Sequence, residues 1–179
     1  MSQAREDFVK KNGAAAVKAT QGTGIFPEVL LAQAILESSR DGIPGKSELS
    51  RKYNNFHGIK AYPKYTGKTV NFNTREVLQG KTVFQKDDFA VFDSIEDGFK
   101  GYVDFLTVNP RYKKAGVFSA KTIAQQIAAL KAAGYATDPE YVTLTNNIAV
   151  RVKEWIKDIR PNHVIGLFGM VFLSSLLFF

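Results

Sequence analysis

Residues 61–93 interrupt a chain whose apolar positions otherwise recur at helical spacing, and few folds accommodate a single interruption of that kind. Within it Tyr, Thr, Val and Phe recur at period two, with turn signals at Pro63 to Gly67 and at Gln79 to Lys81. The simplest reading is a small antiparallel pair, Thr69 to Val77 against Thr82 to Phe92, joined by the turn LQGK. The expected fold class is therefore α+β, mostly helical, with one small antiparallel β-lobe near the middle of the chain.

The flanking helices follow from spacing and punctuation. A helix from Ser2 to about Thr20 has Phe8, Ala15 and Ala19 among its apolar positions and is ended by QGTG at 21–24. A second begins at Pro27, since proline is tolerated in a first helical turn, and runs to about Arg40. Beyond the loop DGIPG, Ser47 and Glu48 open a short helix through Lys52. Asp93 and Ser94 offer an N-cap to a helix carrying Phe99, Val103 and Leu106. Another runs from about Ser119 to Ala133 with Ile123, Ile127 and Leu130 inward. A last one spans about Pro139 to Ile159, with Asp138 as its N-cap and Trp155 packed among Ile156 and Ile159.

Several function classes are excluded or disfavoured by composition. With no cysteine there is no disulfide framework, thiolate zinc site or cysteine nucleophile. The two histidines, His57 and His163, lie far apart without ligand spacing, so no metal or other cofactor is expected. A net charge of +7 favours polyanions: nucleic acid, anionic lipid or an acidic bacterial cell wall. No recognised nucleic-acid motif accompanies the charge, so no specific nucleic-acid partner is expected.

The 179 residues suggest one domain, 1–160, and a tail, 161–179. The amino terminus has acids within its first seven residues and no apolar core, so no secretory signal is expected. Residues 164–179, VIGLFGMVFLSSLLFF, contain no charge; as a helix they would be about 24 Å long, apolar on every face. A membrane-inserted tail helix is expected there, with Lys153, Lys157 and Arg160 holding the domain on the positive side of the bilayer.

The candidate chemistry centres on Glu37. It shares a helix face with Leu30 and Ala34, so its carboxyl ends an apolar stripe, where burial raises a carboxylate pKa toward the range a general acid needs. A helix-borne acid beside a β-lobe with a second carboxylate is a way to hydrolyse a glycosidic bond. Glu76, in NFNTREVLQG, is the second candidate, with Asp87 and Asp88 as fallbacks.

The blocks FPEVLLAQAILESS, KSELSRKYNNFHGIKA, the TRE of NFNTREV, FAVFDSIEDGFKGYVDFL with NPRYKKA, and AGYATDPEYVTLTNNI occur in the order found in the glucosaminidases of glycoside hydrolase family 73. The resemblance covers about residues 5–157. It implies a lysozyme-like fold and cleavage of the β-1,4 bond between N-acetylglucosamine and N-acetylmuramic acid in peptidoglycan. It further implies Glu37 as the general acid and Glu76 as a second acid acting as base or stabiliser, unless the substrate's acetamido group partly replaces it. Tyr135 corresponds to a tyrosine lining the sugar cleft, while Tyr141 fits either core or cleft. In NNFHGIK, His57 stands where Phe is usual, Asn54 and Asn55 are expected to bind loop backbone beside the cleft, and Gly58 to need a positive φ or a close approach. The family's S-G-W-G-x-S after the acid is replaced by SSRDGIPGKSEL, so an aromatic cleft wall is lost or supplied by Phe56 or Tyr62. Candidate substrate-binding residues are thus Tyr135, Asn55, Phe56 and Tyr62.

Two other readings share this scaffold: a lytic transglycosylase using Glu37 alone, and a non-catalytic module that binds or anchors to wall glycan. A wall-acting chain without a leader fits a phage lysin, released through holin lesions or carried on a virion.

Overall fold

The computed structural model describes residues 3–78 and 81–159, except for the side chains of residues 73–85. In chain order the elements are α1 (Gln3–Thr20), α2 (Pro27–Ser38), α3 (Glu48–Tyr53), β1 (Thr69–Leu78), β2 (Lys81–Ala90), α4 (Ile95–Val108), α5 (Pro110–Lys114), a 3₁₀ turn (Val117–Ser119), α6 (Ile123–Ala132) and α7 (Tyr141–Trp155). The expected tail helix over 164–179 lies outside the described residues. Among the described residues, no helix is long and apolar enough to cross a membrane.

The core is built around α2. Pro27 occupies its first turn, and Val29, Leu30, Leu31, Ala32, Ala34 and Ile35 are all fully buried, so the helix is enclosed on every side rather than along one stripe. It packs on α1, α6 and α7, while α4 closes over α1. Burying each large aliphatic side chain there contributes roughly 1.5–3 kcal/mol. The chain leaves α2 at Ser38, whose carbonyl accepts the Lys46 and Ser47 amides at 3.1 and 2.9 Å, folding the loop 39–47 back against the helix end.

Two buried amides fasten this core. Gln126 is fully buried; its Oε1 accepts the Phe26 amide and its Nε2 donates to the Gly24 and Val117 carbonyls, all at 2.8 Å. The start of α6 is thereby tied to both the α1–α2 connection and the 3₁₀ turn. Gln33 on α2 donates to the Tyr141 hydroxyl at 2.6 Å and accepts from Tyr102, linking α2 to α7 and α4.

The β-lobe is the expected antiparallel pair, in register from Thr69 opposite Ala90 to Leu78 opposite Lys81. It is anchored to the preceding loop by the Ala61 amide on the Asp88 carbonyl at 2.7 Å and the Ala90 amide on the Ile59 carbonyl at 2.9 Å. Ser47 and Ser94 cap α3 and α4 through their side chains, as their positions suggest. Elsewhere the boundaries differ. The expected helix from Ser119 begins at Ile123, because residues 117–119 take the tighter 3₁₀ turn and Thr122 accepts the Gln125 amide as cap. α7 spans Tyr141–Trp155 rather than Pro139–Ile159. Asp138 does not cap it: its carboxylate accepts the Glu140 amide at 2.8 Å and shapes the preceding turn. α5 is an additional short helix, opened by Pro110.

Candidate active site

Glu37 stands on the last turn of α2, where the helix leaves the core, and faces a cleft of about 760 Å³. Water reaches the side chain through the cleft mouth, yet the walls displace enough of it that burial raises the carboxyl pKa above the ordinary 4.5. No neighbouring cation among the described residues offsets that desolvation. The shift therefore favours the neutral acid, the form that can donate a proton.

Three tyrosines from three segments surround this corner. Tyr102 of α4, Tyr135 after α6 and Tyr141 of α7 have phenol pKa values raised first by burial, with mutual repulsion and Glu37 adding to it. All three phenols stay neutral, so they surround the acid with dipoles and no counter-charge. Gln33, two hydrogen bonds deep between Tyr102 and Tyr141, fixes their rings.

The opposite wall is the loop 54–62. Asn54 ends α3 in the left-handed region at φ 52° and donates to the Phe92 carbonyl at 2.9 Å. Asn55 is buried; its Nδ2 donates to the Ile59 and Ala90 carbonyls and its Oδ1 accepts the Ile59 amide, each at 2.9 Å. Gly58 has φ +60° with open space where a Cβ would stand, so conformation rather than close approach demands glycine. His57 is buried and stacks on Tyr102 at 4.0 Å. Its Nε2 lies 3.1 Å from the Leu30 carbonyl and must carry the proton, leaving Nδ1 as an acceptor. Burial pulls its pKa from 6.5 to about 4.

The structure brings Glu37, Tyr62 and Tyr135 to one cleft. It does not bring Asn55 or Phe56 there. The Asn55 amide is consumed by backbone groups, and Phe56 is a core ring, 5.7 Å from Phe8 and 5.6 Å from Phe99. The aromatic wall left open by the missing tryptophan is continuous nonetheless. Tyr62, Phe105, Tyr112 and Tyr135 follow one another at centroid distances of 5.7, 5.8 and 6.4 Å along the cleft. Phe105 and Tyr112 escape a sequence reading because the turn between α4 and α5 delivers them; their local signals are the end of the block FAVFDSIEDGFKGYVDFL and the block NPRYKKA.

On the lobe, Glu76 pairs with Val83 near the hairpin turn, and its side chain lies outside the described residues. Asp87, opposite Phe72, is four residues nearer the body, about 13 Å along the strand. It accepts an ion pair at 2.9 Å from Lys60, which itself lines the cleft, while Asp88 accepts from Asn71 at 2.9 Å. Among the described residues, no group of three or more His, Cys, Asp or Glu side chains converges as a metal site would require.

A raised-pKa acid ending a central helix, facing an aromatic-walled cleft beside a two-stranded lobe, defines the lysozyme-like glycoside hydrolases. A family model described as glucosaminidase, mannosyl-glycoprotein endo-beta-N-acetylglucosaminidase, matches residues 13–154, and the chain belongs to that family, glycoside hydrolase family 73. It is 39% identical over 149 residues to a probable N-acetylmuramidase of Lactococcus lactis subsp. cremoris, a match covering 80% of this chain and 32% of the relative. It is 35% identical over 135 residues to the peptidoglycan hydrolase FlgJ of Escherichia coli (strain K12), covering 75% of this chain and 42% of that one. The chain thus spans about a third to under half of these relatives. Among solved structures, the catalytic domain of the autolysin Auto from Listeria monocytogenes superposes with a TM-score of 0.71 at 26% identity, over 87% of this chain and 89% of that one. The truncated glycoside hydrolase domain of Salmonella typhimurium FlgJ gives 0.61 at 32% identity, over 84% and 98%.

Proposed function

We propose that this domain hydrolyses the glycan strands of peptidoglycan at the β-1,4 bond between N-acetylglucosamine and N-acetylmuramic acid. The observation carrying the proposal is the desolvated Glu37 carboxyl at an open, aromatic-walled cleft. In its neutral form Glu37 donates a proton to the glycosidic oxygen as the bond to the anomeric carbon breaks. Tyr135, Phe105 and Tyr62, the partly exposed rings of the wall, hold the sugar faces, with the buried Tyr112 backing them. Positive charge builds on the anomeric carbon and ring oxygen. Glu76 on the β-lobe is the group we assign to stabilise it or to activate water, unless the substrate's acetamido oxygen takes that part. Water completes the hydrolysis and leaves N-acetylglucosamine at the new reducing end.

A second reading is favoured by one fact: Glu37 is the one carboxylate among the described residues lining the cleft. A lytic transglycosylase needs only that acid and closes the muramic residue on itself. Mass spectrometry of digested sacculi separates the readings. Reducing N-acetylglucosamine ends support hydrolysis as proposed, whereas anhydro-muramic ends support transglycosylation and reducing muramic ends an N-acetylmuramidase. A wall-binding module without catalysis would release no fragments.

The apolar segment 164–179 would hold the domain at a membrane, and the phage-lysin setting belongs with it. Retention of the full chain, but not of a chain ending at 160, on liposomes tests this; equal partition of both contradicts it.

A further inference from the structure

Arg111 is a cation built into the cleft wall. It lines the same cleft as Glu37 and Tyr135, and no ion pair engages it among the described residues. Lys60, the other cation lining the cleft, is by contrast paired with Asp87. Arg111 is also held in place. Its Nη2 donates to the Tyr112 hydroxyl at 2.7 Å, and the guanidinium carbon lies 4.7 Å from the Tyr112 ring centre, over a ring that is fully buried. On its other side is Gly134, at φ +75°, where even an added Cβ would come no nearer than 3.9 Å to Nη1. The backbone there excludes most side chains, so nothing at 134 covers the guanidinium. An anchored fork with donors left over is arranged to take a carboxylate in two-point fashion, with less ordering cost than a free lysine would incur.

We propose that Arg111 binds a carboxylate borne by a muramic acid residue of the substrate and thereby selects wall glycan over neutral N-acetylglucosamine polymers. The inference rests on the glycan-cleaving reading of the same cleft. Two sources present that chemistry: the lactyl group on the muramic ring when no peptide is attached, and the stem peptide when one is. Acidic groups near the cleft limit the effect without cancelling it. Burial chiefly raises the Tyr62 phenol pKa, and the Asp104 carboxylate adds to it, which places that negative charge at the far end of the aromatic wall from Tyr135.

The test measures KM and kcat of the full chain on four soluble substrates: peptide-bearing strands, strands stripped of peptide with the lactyl carboxylate free, and each of these two with its carboxylates converted to amides. Wild type should show about a tenfold lower KM on a carboxylate-bearing strand than on its amidated counterpart, equivalent to about 1.4 kcal/mol, and the ratio should shrink as salt rises. Preference retained on stripped strands identifies the lactyl carboxylate; preference seen only with peptide attached identifies the stem. In Arg111→Gln the ratio should fall toward one, and Arg111→Lys should restore part of it. Equal KM values for wild type on charged and amidated strands overturn the proposal while leaving glycan cleavage intact. An unchanged ratio in a folded Arg111→Gln also overturns it. Wild type cleaving none of the four would instead reject the glycan-cleaving reading itself.

Discussion

Glu37 and His57 are both ionisable groups in surroundings that resist their charge, and each makes the fold depend on pH in its own direction. The Glu37 carboxyl has a folded-state pKa above 4.5, so the folded chain binds its proton more tightly than the unfolded chain does. The resulting penalty is absent below 4.5 and grows as pH rises through the folded value. Glu37→Gln should therefore raise Tm at pH 7 and leave it unchanged at pH 4; the gain is small because water reaches the carboxyl. A lower Tm at pH 7 would contradict it. His57 runs the other way. Its folded pKa is about 4 against 6.5, so stability is intact above 6.5 and is lost as pH falls toward 4, by about 3 kcal/mol in full. His57→Phe, the residue usual at this place in the family, should flatten urea midpoints between pH 7 and pH 4.5; a variant keeping the wild-type slope would show that other groups drive acid unfolding.

At the scale of elements, Gln126 illustrates how a helix start is fixed from outside itself. Gln126→Leu keeps the volume but strands the Phe26 amide and the Gly24 and Val117 carbonyls, and unfolding free energy should drop by about 3 kcal/mol or more in urea titration. A loss below about 1 kcal/mol would mean the three groups find other partners. The same contacts explain which boundaries a sequence reveals. The starts of α3 and α4 are legible because the cap is the neighbouring serine, acting locally. The start of α6 is not, since Ser119 is an equally good capping residue and only the long-range tie through Gln126 fixes the 3₁₀ turn ahead of Thr122. Asp138 misleads similarly: its carboxylate serves a turn amide instead of the helix.

Taken whole, the molecule assembles its cleft from segments far apart in sequence, which is why Glu37, Tyr62 and Tyr135 were legible and the rest of the wall was not. Glu37 and Tyr135 lie in blocks that mark them individually and Tyr62 directly follows one, whereas Phe105, Tyr112 and Arg111, though inside quoted blocks, acquire a place in the cleft only when α4 and α5 meet the loop after α6. Phe56 reads as a substitute for the missing tryptophan of the cleft wall, but its ring packs between Phe8 and Phe99 and joins the core. The lobe poses the remaining question of partnership. Glu76→Gln should lower kcat on sacculi about 10- to 100-fold with little change in KM, and Asp87→Asn should act less by weakening the Lys60 tie; the reverse order would move the second carboxylate to Asp87. The central claim is that Glu37 donates the proton that breaks the glycan bond. Its most direct test is mass spectrometry of sacculi digested by wild type beside Glu37→Gln. The account predicts reducing N-acetylglucosamine ends from wild type and a fall of about 10²- to 10⁴-fold in their release by the folded variant. Release at the wild-type rate by Glu37→Gln would contradict it.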